Sequence, residues 1–370
     1  MKKKVFVITN IYPHYRKSIY EKLLNADEFN VTFFLSKTSI DNIKTIEFDK
    51  IYDEEKKIKL KEVKNIFFTK RLIWQLKVIR LVFNRVDAVI FLSEVTCLTT
   101  WITSIIFKTL GVKIIFWGHG IYGKENSLLR SIRILFYKIP HYNLVYEKRS
   151  KKLLVEFGIK EQKIKVIYNS INYFQQLEIF KRLEKNKPKN IFQNNYPTLL
   201  FIGRLTAQKR VHELIEVVKK LNKKDDVNLL IIGDGDLKEE LKKKAKDLIN
   251  NGKCIFYGKA YNEEDIAPLI YNSDLTVSPG NIGLTAIHSL SYGTPICSHS
   301  NLNKQMPEVE VIEEGMNGFL FKESDLDSQE KEISKWLKGE KRNKLKIREK
   351  VDLLYNPNYQ FRVINEIISK

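Results

Sequence analysis

Residues 273–296 read SDLTVSPGNIGLTAIHSLSYGTPI, and this stretch decides the fold. Leu275–Ser278 is a short apolar run of strand length. After Pro279 a glycine-bearing loop opens Gly283–Tyr292, where apolar residues recur at spacings of three and four, as on one face of a helix. Gly293-Thr294-Pro295 stops that helix, and Pro295–Ser298 forms the next strand. Strand, helix and strand in that order make a crossover between parallel strands, which are buried on both faces and so read as apolar runs.

The same alternation extends outward. Upstream lie strands Thr198–Ile202, Val227–Ile232 and Cys254–Tyr257, with helices Lys209–Leu221, Leu237–Asn250 and Glu263–Tyr271 between them. The first half repeats the pattern, with strands Val5–Thr9, Val31–Leu35, Ala88–Ser93, Val112–Trp117, Asn143–Tyr146 and Lys165–Tyr168. Its helices are Tyr15–Leu24, Phe67–Phe83, Leu98–Leu110, Ser127–Tyr137 and Lys148–Phe157. At 370 residues the chain exceeds one ordinary core and suits two domains of about 150 to 200 residues. Phe174–Asn195 turns polar and charged and reads as a linker. The expected architecture is therefore α/β, with two doubly wound Rossmann-like domains facing across a cleft. The boundaries are 1–173, a linker at 174–196, and 197–354, with a helix at about 355–370 free to pack back on the first domain.

Composition narrows the function. With 43% hydrophobic residues, 16 Gly and 9 Pro, the chain is neither disordered nor collagen-like. Cys97, Cys254 and Cys297 are far apart and form no CxxC pair, which excludes a disulfide framework or cysteine zinc site and fits a reducing compartment. The basic start at Met1–Lys4 leads into a first strand, without the apolar run and cleavage site of a leader. The apolar region Thr99–Trp117 is broken by Lys108, Gly111 and Lys113, so no segment is read as spanning a membrane. The net charge is +20, of which residues 1–175 carry +16. Such a field attracts polyanions: nucleic acid, an anionic membrane surface or a phosphorylated substrate. No nucleic-acid recognition motif accompanies it. Phe67–Phe83 and Leu128–Tyr137 mix aromatic, aliphatic and basic residues. Either each is a core helix with a charged outer face or both dock on an anionic bilayer; the charge of that half favours docking.

Three stretches carry the chemistry. In Phe201–Arg210, a strand runs into a turn and a helix, bringing Arg204 and Lys209 to one edge. Together they suit a diphosphate; the alternative is two solvated surface charges. In Ile231–Asp236, Gly233 and Gly235 let backbone approach a ligand, and Asp236 is placed to cap the next helix. The third glycine of GxGxxG is missing and no P-loop is present, which disfavours a nicotinamide dehydrogenase. In the opening stretch, the N–H groups of Gly283, Leu284 and Thr285 would point at an anion, while His288 either faces the ligand or sits in the core.

Residues 197–321 resemble the donor-binding domain of a family 4 glycosyltransferase, a retaining enzyme of the GT-B fold. The resemblance rests on GRLTAQKR at 203–210, IIGDGDLKEEL at 231–241, YGKAYNEEDI at 257–266, the stretch at 273–296, and GMNGFLF at 315–321. The first half is similar more loosely, through Trp117-Gly118-His119-Gly120 and Tyr146-Glu147-Lys148. The resemblance implies that the first domain binds acceptor and the second nucleotide-sugar. Arg204 and Lys209 would clasp the donor diphosphate at Gly203 and Gly233. Gly258, Lys259, Ala260 and Tyr261 would border the base, and Gly280, Asn281, Ile282, Gly283, Leu284 and Thr285 would hold the sugar and distal phosphate. His119 would lie by the transferred sugar. Neither metal nor cofactor is required, because cationic side chains neutralise the leaving diphosphate. The chain departs from the family pattern in one respect. Two glutamates separated by seven residues are usual there, and here those positions hold Gly280 and His288. Asn281 or backbone would then meet the sugar, and His288 the ribose.

The implied function is transfer of a sugar, with retention, from a nucleoside-diphosphate donor such as a UDP-sugar. The acceptor would be an oligosaccharide or a polyisoprenyl-diphosphate-linked glycan in cell-surface polysaccharide assembly. The chain would be cytoplasmic and peripheral on the inner face of the membrane, with no nucleic-acid partner. The missing glutamates leave open a non-catalytic GT-B scaffold that binds nucleotide at the membrane.

Overall fold

The computed structural model describes residues 2–36, 56, 59–68, 72–123, 125–340 and 342–370. The chain divides into two compact units, Met1–Asn172 with Asn356–Lys370, and Tyr173–Tyr355.

In the first unit, strands β1 (Lys3–Ile8), β2 (Phe29–Leu35), β3 (Leu60–Glu62), β6 (Ala88–Leu92), β7 (Lys113–Gly118), β8 (Tyr142–Val145) and β9 (Ile164–Val166) form one parallel sheet. The order is β3-β2-β1-β6-β7-β8-β9, so the winding reverses between β1 and β6. Strands β4 (Asn65–Phe67) and β5 (Ile73–Gln75) make a separate antiparallel pair. One face of the sheet is covered by α1 (Lys17–Leu24), which buries Ile19, Tyr20, Leu23 and Leu24. The other carries α2 (Leu98–Thr109), α3 (Ser127–Lys138) and α4 (Lys148–Glu156), around Phe107, Phe116, Phe136 and Leu154.

The basic stretch Phe67–Phe83 is not a helix. It contains β5 and a 3-10 turn at Val78–Phe83, and its Thr69–Arg71 lies outside the described residues. The inward positions in this region follow a period of two. Asn65 donates to the Asn10 carbonyl at 2.7 Å and Gln75 to the Thr9 carbonyl at 3.0 Å, with Ile73 buried alongside. Lys77, at φ 66°, then takes a left-handed conformation between the end of β5 and the 3-10 turn.

In the second unit, β10 (Thr198–Ile202), β11 (Asn228–Ile232), β12 (Cys254–Gly258), β13 (Leu275–Ser278), β14 (Ile296–His299) and β15 (Gly318–Phe321) form a parallel sheet ordered β12-β11-β10-β13-β14-β15. This is the doubly wound arrangement, with its switch point between β10 and β13. The helices are α5 (Tyr173–Lys185), α6 (Val211–Leu221), α7 (Lys238–Lys244), α8 (Lys246–Asn250), α9 (Glu263–Asn272), α10 (Thr285–Ser291), α11 (Leu326–Lys338) and α12 (Lys344–Leu354). Helix α6 shows why the pattern folds this way: Val211, Leu214, Ile215 and Val218 lie three or four apart and are buried against Leu199 and Leu229. The polar stretch read as a linker opens with α5, whose Ile179, Phe180 and Leu183 join the core beside Ile270 and Tyr292. Its apolar spacing is diluted by five charged residues, which hid it. The last helix, α13 (Pro357–Ser369), returns to the first unit. It packs Ile364, Ile367 and Ile368 against the sheet, and Gln360 donates to the Tyr168 carbonyl at 2.8 Å.

Candidate active site

In doubly wound sheets ligands bind at the carboxyl ends of the strands flanking the switch point. In the second unit those strands are β10 and β13, and the turns that follow them hold Arg204 with Lys209 and the loop Gly280–Thr285. The structure brings these together. The Lys209 ammonium donates to the Asn281 carbonyl at 2.7 Å and to its Oδ1 at 3.0 Å. The Gly280 N–H donates to the Lys209 carbonyl at 3.2 Å. The loop is pinned from its other side as well: the Ile282 N–H donates to Gln305 Oε1 at 2.8 Å, and Gln305 donates to Ser298 Oγ and the His299 carbonyl, both at 2.8 Å.

Arg204 is exposed and near enough to Lys209 to act on its charge. Burial, and then the Arg204 guanidinium, lower the Lys209 pKa, with Glu308 opposing them. Two like charges held together in a half-buried place are costly unless an anion joins them.

Gly280 has no room for a side chain. A Cβ there would lie 2.1 Å from the Gln208 carbonyl oxygen and 2.8 Å from Lys209 Cα, so no side chain fits. The glycines of the second stretch have a related role. A Cβ on Gly233 would meet the Gly203 oxygen at 1.9 Å, and one on Gly235 the Leu205 oxygen at 2.5 Å. At both glycines the neighbouring turn comes this close. Backbone bonds from Gly203 to Ile232, Leu205 to Asp234 and Gly233 to Gly258 lace the three turns into one ledge. Gly258 itself has φ +93°. Beyond it Ala260 packs on the core, and Lys259 lies 5.1 Å over the exposed ring of Tyr261. Asp236 does not cap α7, whose first turn has no side-chain cap. Helix α10 begins at Thr285 and has seven residues, two fewer at its start than expected, so Gly283 and Leu284 belong to the loop.

His288 is neither a core histidine nor a free one. Its Nε2 lies 2.7 Å from Glu263 Oε1. The same oxygen accepts from the Tyr292 hydroxyl at 2.6 Å and from Gln176 at 3.2 Å. Burial works to raise the Glu263 carboxyl, but the charge and bonds of His288, with those of Tyr292 and Gln176, outweigh it and hold the pKa at about 2. Sequence reading missed Glu263 because an acidic run at a helix start, Glu263-Glu264-Asp265, looks like ordinary dipole pairing. A carboxyl lowered from 4.5 contributes stability that is present above 4.5 and lost as pH falls toward 2. Glu263→Gln is therefore expected to cost about 1.5–3 kcal/mol at neutral pH, the range for charged hydrogen bonds. The gap to the parent should close between pH 4.5 and 2 in thermal melts; a gap that persists at pH 2 would remove the charge from this account.

His119 belongs to the first unit, after β7. Its ring packs edge-on to Tyr146 at 4.8 Å, and burial, followed by Arg16 and Arg133, pushes its pKa down to about 4. It is a neutral imidazole at physiological pH, suited to hydrogen bonding and not to carrying positive charge. Arg16, from the first loop, is buried beneath it. Its guanidinium stacks 4.9 Å over Trp117 and 5.4 Å over Tyr146 and donates to the Tyr146 hydroxyl. The sequence reading placed that loop but did not single out Arg16, since a lone arginine among tyrosines has no spacing signature.

Residues 182–351 match the family described as Glycosyl transferases group 1. An uncharacterized glycosyltransferase of Methanocaldococcus jannaschii is 26% identical over 215 residues, 56% of this chain and 54% of that protein. The chain thus spans about half the length of that relative. Among solved structures, the lipopolysaccharide outer core galactosyltransferase WaaB is similar over 99% of both chains, with a TM-score of 0.70 and 19% identity. Anabaena HepE in complex with UDP is similar over 100% of both chains, with a TM-score of 0.66 and 15% identity. The fold is that of the GT-B glycosyltransferases, with two Rossmann-like domains.

Proposed function

We propose that the chain is a retaining, metal-independent glycosyltransferase of the family 4 type. It transfers a sugar from a UDP-sugar to an oligosaccharide or polyisoprenyl-diphosphate-linked acceptor in cell-surface polysaccharide assembly, at the inner face of the membrane. The observation that carries this reading is the pair Arg204 and Lys209, close enough at the switch point for the arginine to act on the lysine's charge, with Lys209 bonded to Asn281 of the Gly280–Thr285 loop. The match of residues 182–351 to a glycosyltransferase family and the UDP held by HepE support it.

As the bond from the sugar to the diphosphate breaks, negative charge grows on the leaving oxygen, and these two cations stabilise it in place. Asn281, held by Lys209, faces the sugar where the first glutamate would stand. His288, oriented by Glu263, meets the ribose hydroxyls. His119, neutral, offers a hydrogen bond to the transferred sugar.

A thermal-shift series tests the reading. A ligand preferring the folded state raises the melting temperature, by about 2.7 kcal/mol of stabilisation at a hundredfold excess over its dissociation constant. UDP should give a clear rise and GDP a smaller one, followed by detectable transfer or donor hydrolysis. Binding of UDP without any turnover on lipid or oligosaccharide acceptors would favour the scaffold reading, which Gly280 at the glutamate position motivates.

A further inference from the structure

In a surface helix the apolar side chains face the core and the small polar ones face water. Helix α2 reverses this. Thr99, Thr100, Thr103 and Ser104 are buried, while Leu98, Ile102 and Ile105 are exposed. Helix α3 lies beside it, with the rings of Trp101 and Phe136 4.9 Å apart and the Lys108 ammonium donating to the Ile139 carbonyl at 2.5 Å. It buries only Phe136 and Tyr137 and turns Leu128, Ile132 and Leu135 outward. The 3-10 turn Val78–Phe83 packs on the same layer and leaves Phe83 88% exposed. An apolar face of this extent on one layer marks an interaction site.

The charges around it select the occupant. Within the 3-10 turn, α2 and α3 there is no aspartate or glutamate, whereas Arg80, Lys108 and Lys138 are present and exposed; Arg130 and Arg133 are half-buried and turn to Glu125, just before α3, Arg133 as an ion pair at 3.5 Å. Outer helices of the second unit mix both signs, as α11 does in LDSQEKEISKWLK. A second copy of the chain docking through this face would set cations against cations, since a two-fold interface presents the same patch twice. An anionic lipid surface meets both features: it takes the leucines and isoleucines at the acyl boundary and pairs the exposed Arg80, Lys108 and Lys138 with headgroup phosphates. No helix among the described residues is long and apolar enough to cross a membrane.

We infer that the face formed by α2, α3 and the turn before them docks on an anionic phospholipid bilayer, lying in the interface. The inference names the surface for the membrane association proposed above and does not depend on the transfer reaction.

Flotation with phosphatidylcholine vesicles containing or lacking phosphatidylglycerol tests it, using the full chain. The parent should float with phosphatidylglycerol vesicles and weakly with phosphatidylcholine alone. The double variant Ile105→Asp, Ile132→Asp should lose at least about tenfold in vesicle affinity, as expected when buried apolar contacts are replaced by charge at an anionic surface. Leu345→Asp with Leu353→Asp, exposed apolar residues of the second unit, should bind as the parent does. A far-UV circular dichroism spectrum and a melting temperature close to the parent's show that each variant is folded, whether or not it binds nucleotide. Equal flotation of the parent on both vesicle types, unchanged flotation of the Ile105/Ile132 variant, or a dimer in sedimentation that this variant dissociates without vesicle binding by the parent would each overturn the inference.

Discussion

Lys209→Ala is expected to lower turnover by about 10²–10³-fold, the usual cost of losing one group that stabilises charge in the transition state. UDP affinity should fall with it. Two losses combine in this variant. The diphosphate loses its half-buried cation, and the Gly280–Thr285 loop loses the ammonium that bridges the Asn281 carbonyl and side chain. Arg204→Ala should do less, since Arg204 is exposed and no hydrogen bond ties it to that loop among the described contacts. Steady-state kinetics with calorimetric UDP binding separates the two. Equal effects would make the two cations equal partners to the diphosphate, and a Lys209→Ala protein with parental affinity would remove the lysine from the site.

The second large effect is expected at Gly280. Placing at position 280 the glutamate usual in the family that this chain resembles, Gly280→Glu, should abolish UDP binding and destabilise the fold by about 3 kcal/mol or more, the range of severe overpacking. The cause is backbone against backbone: the Gln208 carbonyl and Lys209 Cα occupy the space of any Cβ at that position. Gly280→Ala should therefore be damaging too, in urea unfolding and in nucleotide binding alike. A well-folded Gly280→Ala protein with unchanged UDP affinity would show that crowding does not keep side chains from position 280. The second family glutamate meets a different obstacle. At position 288 a glutamate would bring a carboxylate onto Glu263, which is already ionised and half-buried.

What the sequence disclosed follows from the physics of each signal. Parallel strands buried on both faces are apolar runs, so Leu275–Ser278 and Ile296–His299 could be read directly from residues 273–296. Arg204 and Lys209 were visible because they sit at a strand-to-helix turn whose glycines need unusual backbone. Glu263, Gln305 and Arg16 were not, because each acts through a neighbour distant in sequence. Nothing in Glu263-Glu264-Asp265 says which carboxylate will turn inward toward His288. The hairpin around β5 was mistaken for a helix because cations interleaved with aliphatics satisfy a period near 3.6 as well as one of two. The buried Asn65 and Gln75, bonded to the loop after β1, settle that choice only in three dimensions.

The return of α13 to the first unit fixes an order of events during synthesis. By the time Pro357–Ser369 leaves the ribosome, every residue of the second unit has already been made. The half that is translated earliest is therefore the last to be completed, and until then the surface of its sheet that receives Ile364 and Ile367 stays open to solvent and to chaperones.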